Sequence, residues 1–71
     1  LYTDLMPSTT ITRQGLTFTS RFTRVWVTTA NGNHYVLSSP GGGAWRVDRN
    51  GEHAVTEFYF NSAVAFIAKD V

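Results

Sequence analysis

Two Asn-Gly pairs, Asn31-Gly32 and Asn50-Gly51, constrain this chain more than any other feature. Each stands between runs rich in β-branched and aromatic residues. A type I′ turn needs positive φ at both central positions, which Asn and Gly tolerate best, so each pair predicts a β-hairpin. Ser39-Pro40-Gly41-Gly42-Gly43 joins the two hairpins into a four-stranded antiparallel meander over residues 24–60. Its predicted strands are 24–29, 33–38, 44–49 and 52–60.

Upstream, residues 16–22 alternate cleanly, with Leu16, Phe18, Ser20 and Phe22 on one side and Thr17, Thr19 and Arg21 on the other. That pattern predicts a half-buried strand. The alternation changes phase on the way into residue 24, which places a bulge or short turn near 20–23. Residues 1–15 hold the breakers Asp4, Pro7, Ser8 and Gly15 and sustain no period. They read as an arm whose Leu1, Tyr2, Leu5 and Met6 dock on something, with a short extended piece at 11–13. Residues 61–71 read as a helix capped by Asn61 or Ser62, apolar nearly all round, with Lys69 in a last turn that favours a cation. The predicted fold is α+β: a single domain, 1–71, with a four- to five-stranded antiparallel meander sheet over 16–60 and one C-terminal helix on one face.

Turn position sets register, and register sets which side chains share a face. The two Asn-Gly turns place Trp26 opposite Leu37 and Trp45 opposite Thr56. A symmetric closure of the central loop then sets Leu37 opposite Trp45, although only its parity matters for the faces. One face carries Trp26, Leu37, Trp45, Thr56, Thr28, Tyr35, Val47 and Ala54, with Phe58 and Phe60 beyond, and Ala63, Phe66 and Ile67 of the helix are expected to cover it. The opposite parity would split this aromatic cluster, and each large side chain left exposed forfeits ~1.5–3 kcal/mol. The second face carries Val27, Val36, Arg46 and Val55, with Val25, Glu57 and Tyr59 toward one end and Thr29, His34, Asp48 and His53 at the other. So many valines need a cover. Either Leu16, Phe18, Phe22 or the N-terminal arm folds across them, or a partner surface does.

With 71 residues and no cysteine, neither disulfides nor a cysteine-based zinc site stabilise the chain. Aromatics, 14% of the sequence, must fill the core or an interface between copies. A net charge of +1 excludes the general electrostatic grip of a strongly basic nucleic-acid-binding domain. No apolar run is long enough to span a bilayer. No signal peptide is expected, the start at Leu1 suggests a trimmed chain, and the cytoplasm is the default compartment.

His34, Asp48 and His53 are the one polar row with the chemistry to bind a divalent ion or do acid-base work, yet two imidazoles two strand spacings apart, ~9–10 Å, are wide for ligands of one ion. A hydrogen-bonded row at a sheet end is expected instead, with no metal and no cofactor. Arg49 and Glu52 should pair across the second turn as a surface ion pair worth little. The glycine-rich loop precedes a strand, not a helix N-terminus, and lacks a lysine, so it reads as a hairpin connector rather than a phosphate cradle. Serines and histidines are not grouped as in a catalytic triad, and the chain is read as a non-enzyme.

The segment Ala44-Trp45-Arg46-Val47, then Asn50-Gly51, then Phe58-Tyr59-Phe60-Asn61-Ser62-Ala63-Val64-Ala65-Phe66-Ile67 resembles two groups of small domains. One is the three-stranded-sheet-plus-helix DNA-binding domain of plant ethylene-response factors and of the arm-binding segment of phage integrases. The other comprises small bacterial domains with a Trp-x-Val strand, an Asn-Gly or Asp-Gly turn, an aromatic strand and an alanine-rich helix. The resemblance covers residues 44–68 and implies the same sheet-and-helix fold. The integrase-like domains carry several basic side chains into the major groove, whereas here Asp48, Glu52 and Glu57 accompany Arg46 and Arg49 on the matching strands. The expected function is therefore that of a small binding or regulatory protein of phage or bacterial accessory type. It would act through a protein partner or a second copy on Val25, Val27, Val36, Arg46, Val55 and Tyr59. The competing expectation is a nucleic-acid-binding module using Arg21, Arg24, Arg46 and Arg49.

Overall fold

The computed structural model describes residues 8–70, which form β1 (Thr9–Arg13), β2 (Leu16–Phe22), β3 (Val25–Ala30), β4 (Asn33–Ser38), β5 (Trp45–Arg49), β6 (Glu52–Glu57) and α1 (Phe60–Lys69). The expected docking of Leu1, Tyr2, Leu5 and Met6 lies outside the described residues. All six strands join one antiparallel sheet in chain order. The α+β class is as expected, but there are six strands rather than four or five, because part of the expected arm is β1. Its hairpin to β2 turns on Gln14 and Gly15, both at positive φ. Asn31-Gly32 and Asn50-Gly51 are also left-handed at both positions, as a type I′ connection requires.

Register in the central hairpin follows the turn: Trp26 lies opposite Leu37, Val27 opposite Val36 and Thr28 opposite Tyr35. The loop between β4 and β5 keeps the expected parity but slides the pairing by two residues, so that Leu37 meets Val47 rather than Trp45. Between β5 and β6 the register is the expected one at Asp48–His53 and then shifts. An extra residue there, Ala54, sets Val55 opposite Val47 and Trp45 opposite Glu57. A single inserted residue reverses every later side chain of its strand. Val55 therefore turns to the helix side and Thr56 away from it.

The core lies between that side of the sheet and α1, and is built of Phe18, Tyr35, Leu37, Val47, Ala63, Val64 and Ile67, all fully buried. The helix contributes at the three- and four-residue spacing of an amphipathic stripe. Val64, rather than the expected Phe66, completes its buried set, and Phe66 packs half-buried beside it. The last predicted strand stops at Glu57, and Tyr59, not Asn61 or Ser62, is the N-cap, with no side-chain cap bond. That earlier start brings Phe60 into the helix and its ring among Phe18, Trp26 and Trp45, with centroids 5.9, 6.2 and 5.0 Å away. Phe58, expected on the core face, is 82% exposed in the bend.

A polar clamp fastens the other end of the helix. Tyr35 Oη and Arg49 Nη1 both donate to Asp70 Oδ2 at 2.6 Å, and Asn31 Nδ2 donates to the Asp70 carbonyl at 2.7 Å. Arg49 thus pairs with Asp70 instead of the expected Glu52: Arg49 and Glu52 both lie on the helix side of the sheet, where the end of α1 brings Asp70 within 2.6 Å of the guanidinium. Burial pushes the Tyr35 phenol up, and its bond to Asp70 adds to that. The same bond, followed by that from Arg49, holds the Asp70 carboxyl below the ordinary aspartate value of 3.8. The unfolded chain then takes up this proton at higher pH than the folded one. The clamp's contribution is complete above the ordinary aspartate pKa and is lost as pH falls through the depressed folded value.

Two measurements check these connections. A Cβ on Gly32 would meet nothing within 4 Å, yet its φ is +78°, so Gly32→Ala should cost about 1–2 kcal/mol in urea denaturation through backbone strain alone. Gly43→Ala, equally open and without positive φ, should stay within about 0.5 kcal/mol. Asp70→Asn should lower Tm near neutral pH, and its difference from wild type should shrink as the pH drops below the ordinary aspartate range. A difference that stayed constant through acid would contradict the clamp.

Candidate docking surface

The side of the sheet away from α1 is built by strand alternation and two bulges. Val25, Val27, Val36 and Arg46 stand on it as expected, in the rows Val27, Val36, Asp48, His53 and Val25, Ser38, Arg46, Thr56. Val55 does not, since the extra residue at Ala54 turns it into the core. Tyr59 does not either: it has left the sheet for the N-cap of α1 and is 73% exposed.

The expected internal cover is absent among the described residues. β2 extends the sheet sideways rather than folding over it, and Phe18 points into the core. Leu16 also packs half-buried against the core. Thr19 pairs with Val27 and Phe22 with Val25, so β2 spends one more residue than β3 over that span. This is the irregularity announced by the phase change near 20–23, and Ser20 Oγ donates across it to the Phe22 carbonyl at 2.8 Å. The bulge turns Phe22 away from Leu16 and Phe18 and sets it next to Arg21 on the outer face. Thr19, Arg21, Phe22, Val25, Val27 and Val36 then line a groove of about 350 Å³. Its walls are apolar side chains and threonine methyl, and Arg21 is the one charge among them. Phe22 remains 68% exposed. Phe22 and Thr19 were not among the expected interface residues, although the broken alternation was the signal that marked them.

The four arginines of the competing expectation do not make one surface. Arg21 is at the groove, while Arg46 Nε is held by Asp48 Oδ1 at 2.7 Å on the same face. Arg24, at φ +59°, occupies the β2–β3 turn with its guanidinium over the Gly42 position of the neighbouring loop. Arg49 lies on the opposite side of the sheet in the Asp70 clamp. Among the described residues, Arg21 has no carboxylate partner.

The His34, Asp48, His53 row is also redistributed. The slide in the central loop sets Val36, not His34, opposite Asp48. His34 instead exchanges bonds with Asn50: its N–H donates to Asn50 Oδ1 at 2.9 Å, and its carbonyl accepts from the Asn50 N–H at 2.7 Å. His53 Nε2 lies 2.8 Å from Thr56 Oγ1. No group of three metal-ligating side chains comes together among the described residues. The loop after β4 closes on itself through Gly42 N–H to Ser39 O at 3.0 Å, and leads into β5. No described helix is long and apolar enough to cross a membrane.

Comparison of the chain with family models, curated proteins and solved structures finds no match.

The two kinds of valine should respond differently to an isosteric hydroxyl. Val55→Thr, facing the core, should cost about 1–2 kcal/mol, and Val27→Thr, facing the groove, less than about 0.5 kcal/mol in chemical denaturation. Equal losses would place both on one side of the sheet.

Proposed function

We propose that this is a small non-enzymatic binding domain whose working surface is the outer groove. Its partner is a protein segment presenting a large apolar side chain beside a carboxylate. The observation that carries the reading is the pairing of an exposed apolar groove with a lone arginine at its wall. An apolar side chain seated against Phe22, Val25, Val27 and Val36 supplies the burial, and a carboxylate next to it meets Arg21. A second copy seated face to face in the groove fits less well. Among the described residues the carboxylate on this face, Asp48, is already bound by Arg46, so a second copy offers Arg21 no free one there. The groove also involves residues that no part of the core requires, so the surface is free to be specified by a partner.

Selection of random peptides on the folded protein tests this directly. The recovered sequences should share a large apolar residue adjacent to Asp or Glu. Val27→Glu and Arg21→Glu should each weaken binding about tenfold or more while leaving the circular dichroism spectrum unchanged. Peptides without acidic preference, or binding indifferent to Val27→Glu, would defeat the proposal. Tight binding of single-stranded DNA that weakens steeply with salt and with each Arg→Ala change would favour the nucleic-acid reading instead.

A further inference from the structure

The two edges of the sheet are not equivalent. β6 is interrupted by the extra residue at Ala54 and bounded by Glu52 and Glu57, and both a bulge and edge charges discourage pairing with another chain. β1 has no bulge, and its one charge is Arg13 at the turn end. Its five residues, Thr-Thr-Ile-Thr-Arg, pair with β2 in unbroken register, carry no carboxylate, and consist largely of β-branched side chains suited to a strand.

The hairpin register also states which backbone groups face outward. Arg13 and Leu16 flank the two-residue Gln14-Gly15 turn, so they exchange both backbone hydrogen bonds. Alternation then turns the N–H and C=O of Ile11 and Thr9 toward β2, and those of Thr10 and Thr12 away from it. Among the described residues, one of these outward groups has a partner: the Thr12 carbonyl accepts from Arg13 Nη1 at 2.9 Å. That contact is exposed and made by the adjacent residue, so it is easily exchanged for a strand.

We infer that the outer edge of β1 is an interface for a second copy of this chain, with the two strands antiparallel about Ile11. With Ile11 on the two-fold axis, Thr10 lies opposite Thr12 of the partner subunit, and both members of each such pair have their backbone groups turned outward. All the outward groups of Thr10 and Thr12 are then satisfied. A shift of one residue sets outward groups against inward ones and loses the bonds. Centring on Thr12 runs the strands into the Gln14-Gly15 turn. The same centre stacks threonines opposite threonines on the outer face and brings the half-buried Ile11 against its own copy on the helix side. The axis is perpendicular to the sheet, so both helices lie on one side and both grooves on the other. With each groove centred near β3, they stand ~24 Å apart at ~4.8 Å per strand. The dimer thus offers two docking grooves on one surface, although its formation does not depend on what those grooves bind.

Sedimentation equilibrium from micromolar to millimolar concentration tests the interface. The wild type should dimerise. Thr12→Pro removes an outward N–H and leaves the β1–β2 ladder intact, so it should weaken dimerisation about tenfold or more while the chain keeps its native circular dichroism. Thr12→Lys, which preserves the backbone and adds like charges, should do the same. Val27→Glu should leave the dimer unchanged. The chain has no cysteine, so Ile11→Cys reports register: two copies on the axis lie about 4.5 Å apart at Cα, within disulfide reach. Ile11→Cys should therefore cross-link under mild oxidation and Arg13→Cys should not. A strict monomer throughout the range overturns the inference. So does a dimer that survives both Thr12 variants or is lost in Val27→Glu, and so does equal cross-linking at positions 11 and 13.

Discussion

One ten-residue helix must shelter a sheet six strands wide. At 1.5 Å per residue the helix is about 15 Å long, whereas five strand spacings span ~24 Å. Everything distinctive about the core answers that mismatch. The helix backbone comes closest to β5 and β6, and the distance to the early strands is filled by large side chains. Phe60 reaches Phe18 of β2 and Trp26 of β3 from the first turn of the helix. Tyr35 fills the opposite end from β4 and is tied by its hydroxyl to the helix terminus. The core is closed by aromatic reach rather than by a second layer, and no element remains among the described residues for the outer face.

The meander and the side of the sheet on which the aromatics gather were readable because they rest on local chemistry. Asn-Gly tolerates left-handed backbone at two successive positions, and a period of two then assigns the faces. Burial of Trp26, Tyr35, Leu37 and Val47 on one face was enough to choose the parity of the central loop. It was not enough to choose among registers of that parity, and the slide that separated His34 from Asp48 follows from that. The strand at Thr9–Arg13 was hidden by its turn, since Gln14 is not a residue that advertises positive φ. Ala54 concealed its bulge for the opposite reason. A small apolar side chain fits either face and breaks no pattern, yet its insertion moved Val55 from the expected interface into the core.

The groove was half legible. Its valines followed from alternation, and a bulge near 20–23 was visible as a change of phase. What could not be read was how that bulge redirects Phe22, because the side chain of a bulged strand depends on which residue is left unpaired. The helix start was misplaced through a similar preference for local signals. Asn61 and Ser62 are favourable caps, but the aromatic contacts of Phe60 outweigh a capping bond and draw the helix start two or three residues earlier than its caps suggest.

Strand order equal to chain order has a kinetic consequence. Each strand finds its partner across a turn or short loop, so the sheet can assemble by successive local closures with little loop entropy to overcome, a topology associated with rapid folding. The contacts that bridge distant parts of the chain belong mainly to the helix, from Gln14 to Asn61 and from Asn31, Tyr35 and Arg49 to Asp70. Docking of α1 is then the step that converts a hairpin series into a cooperative unit. Until α1 has docked, the aromatic face of the sheet stays open.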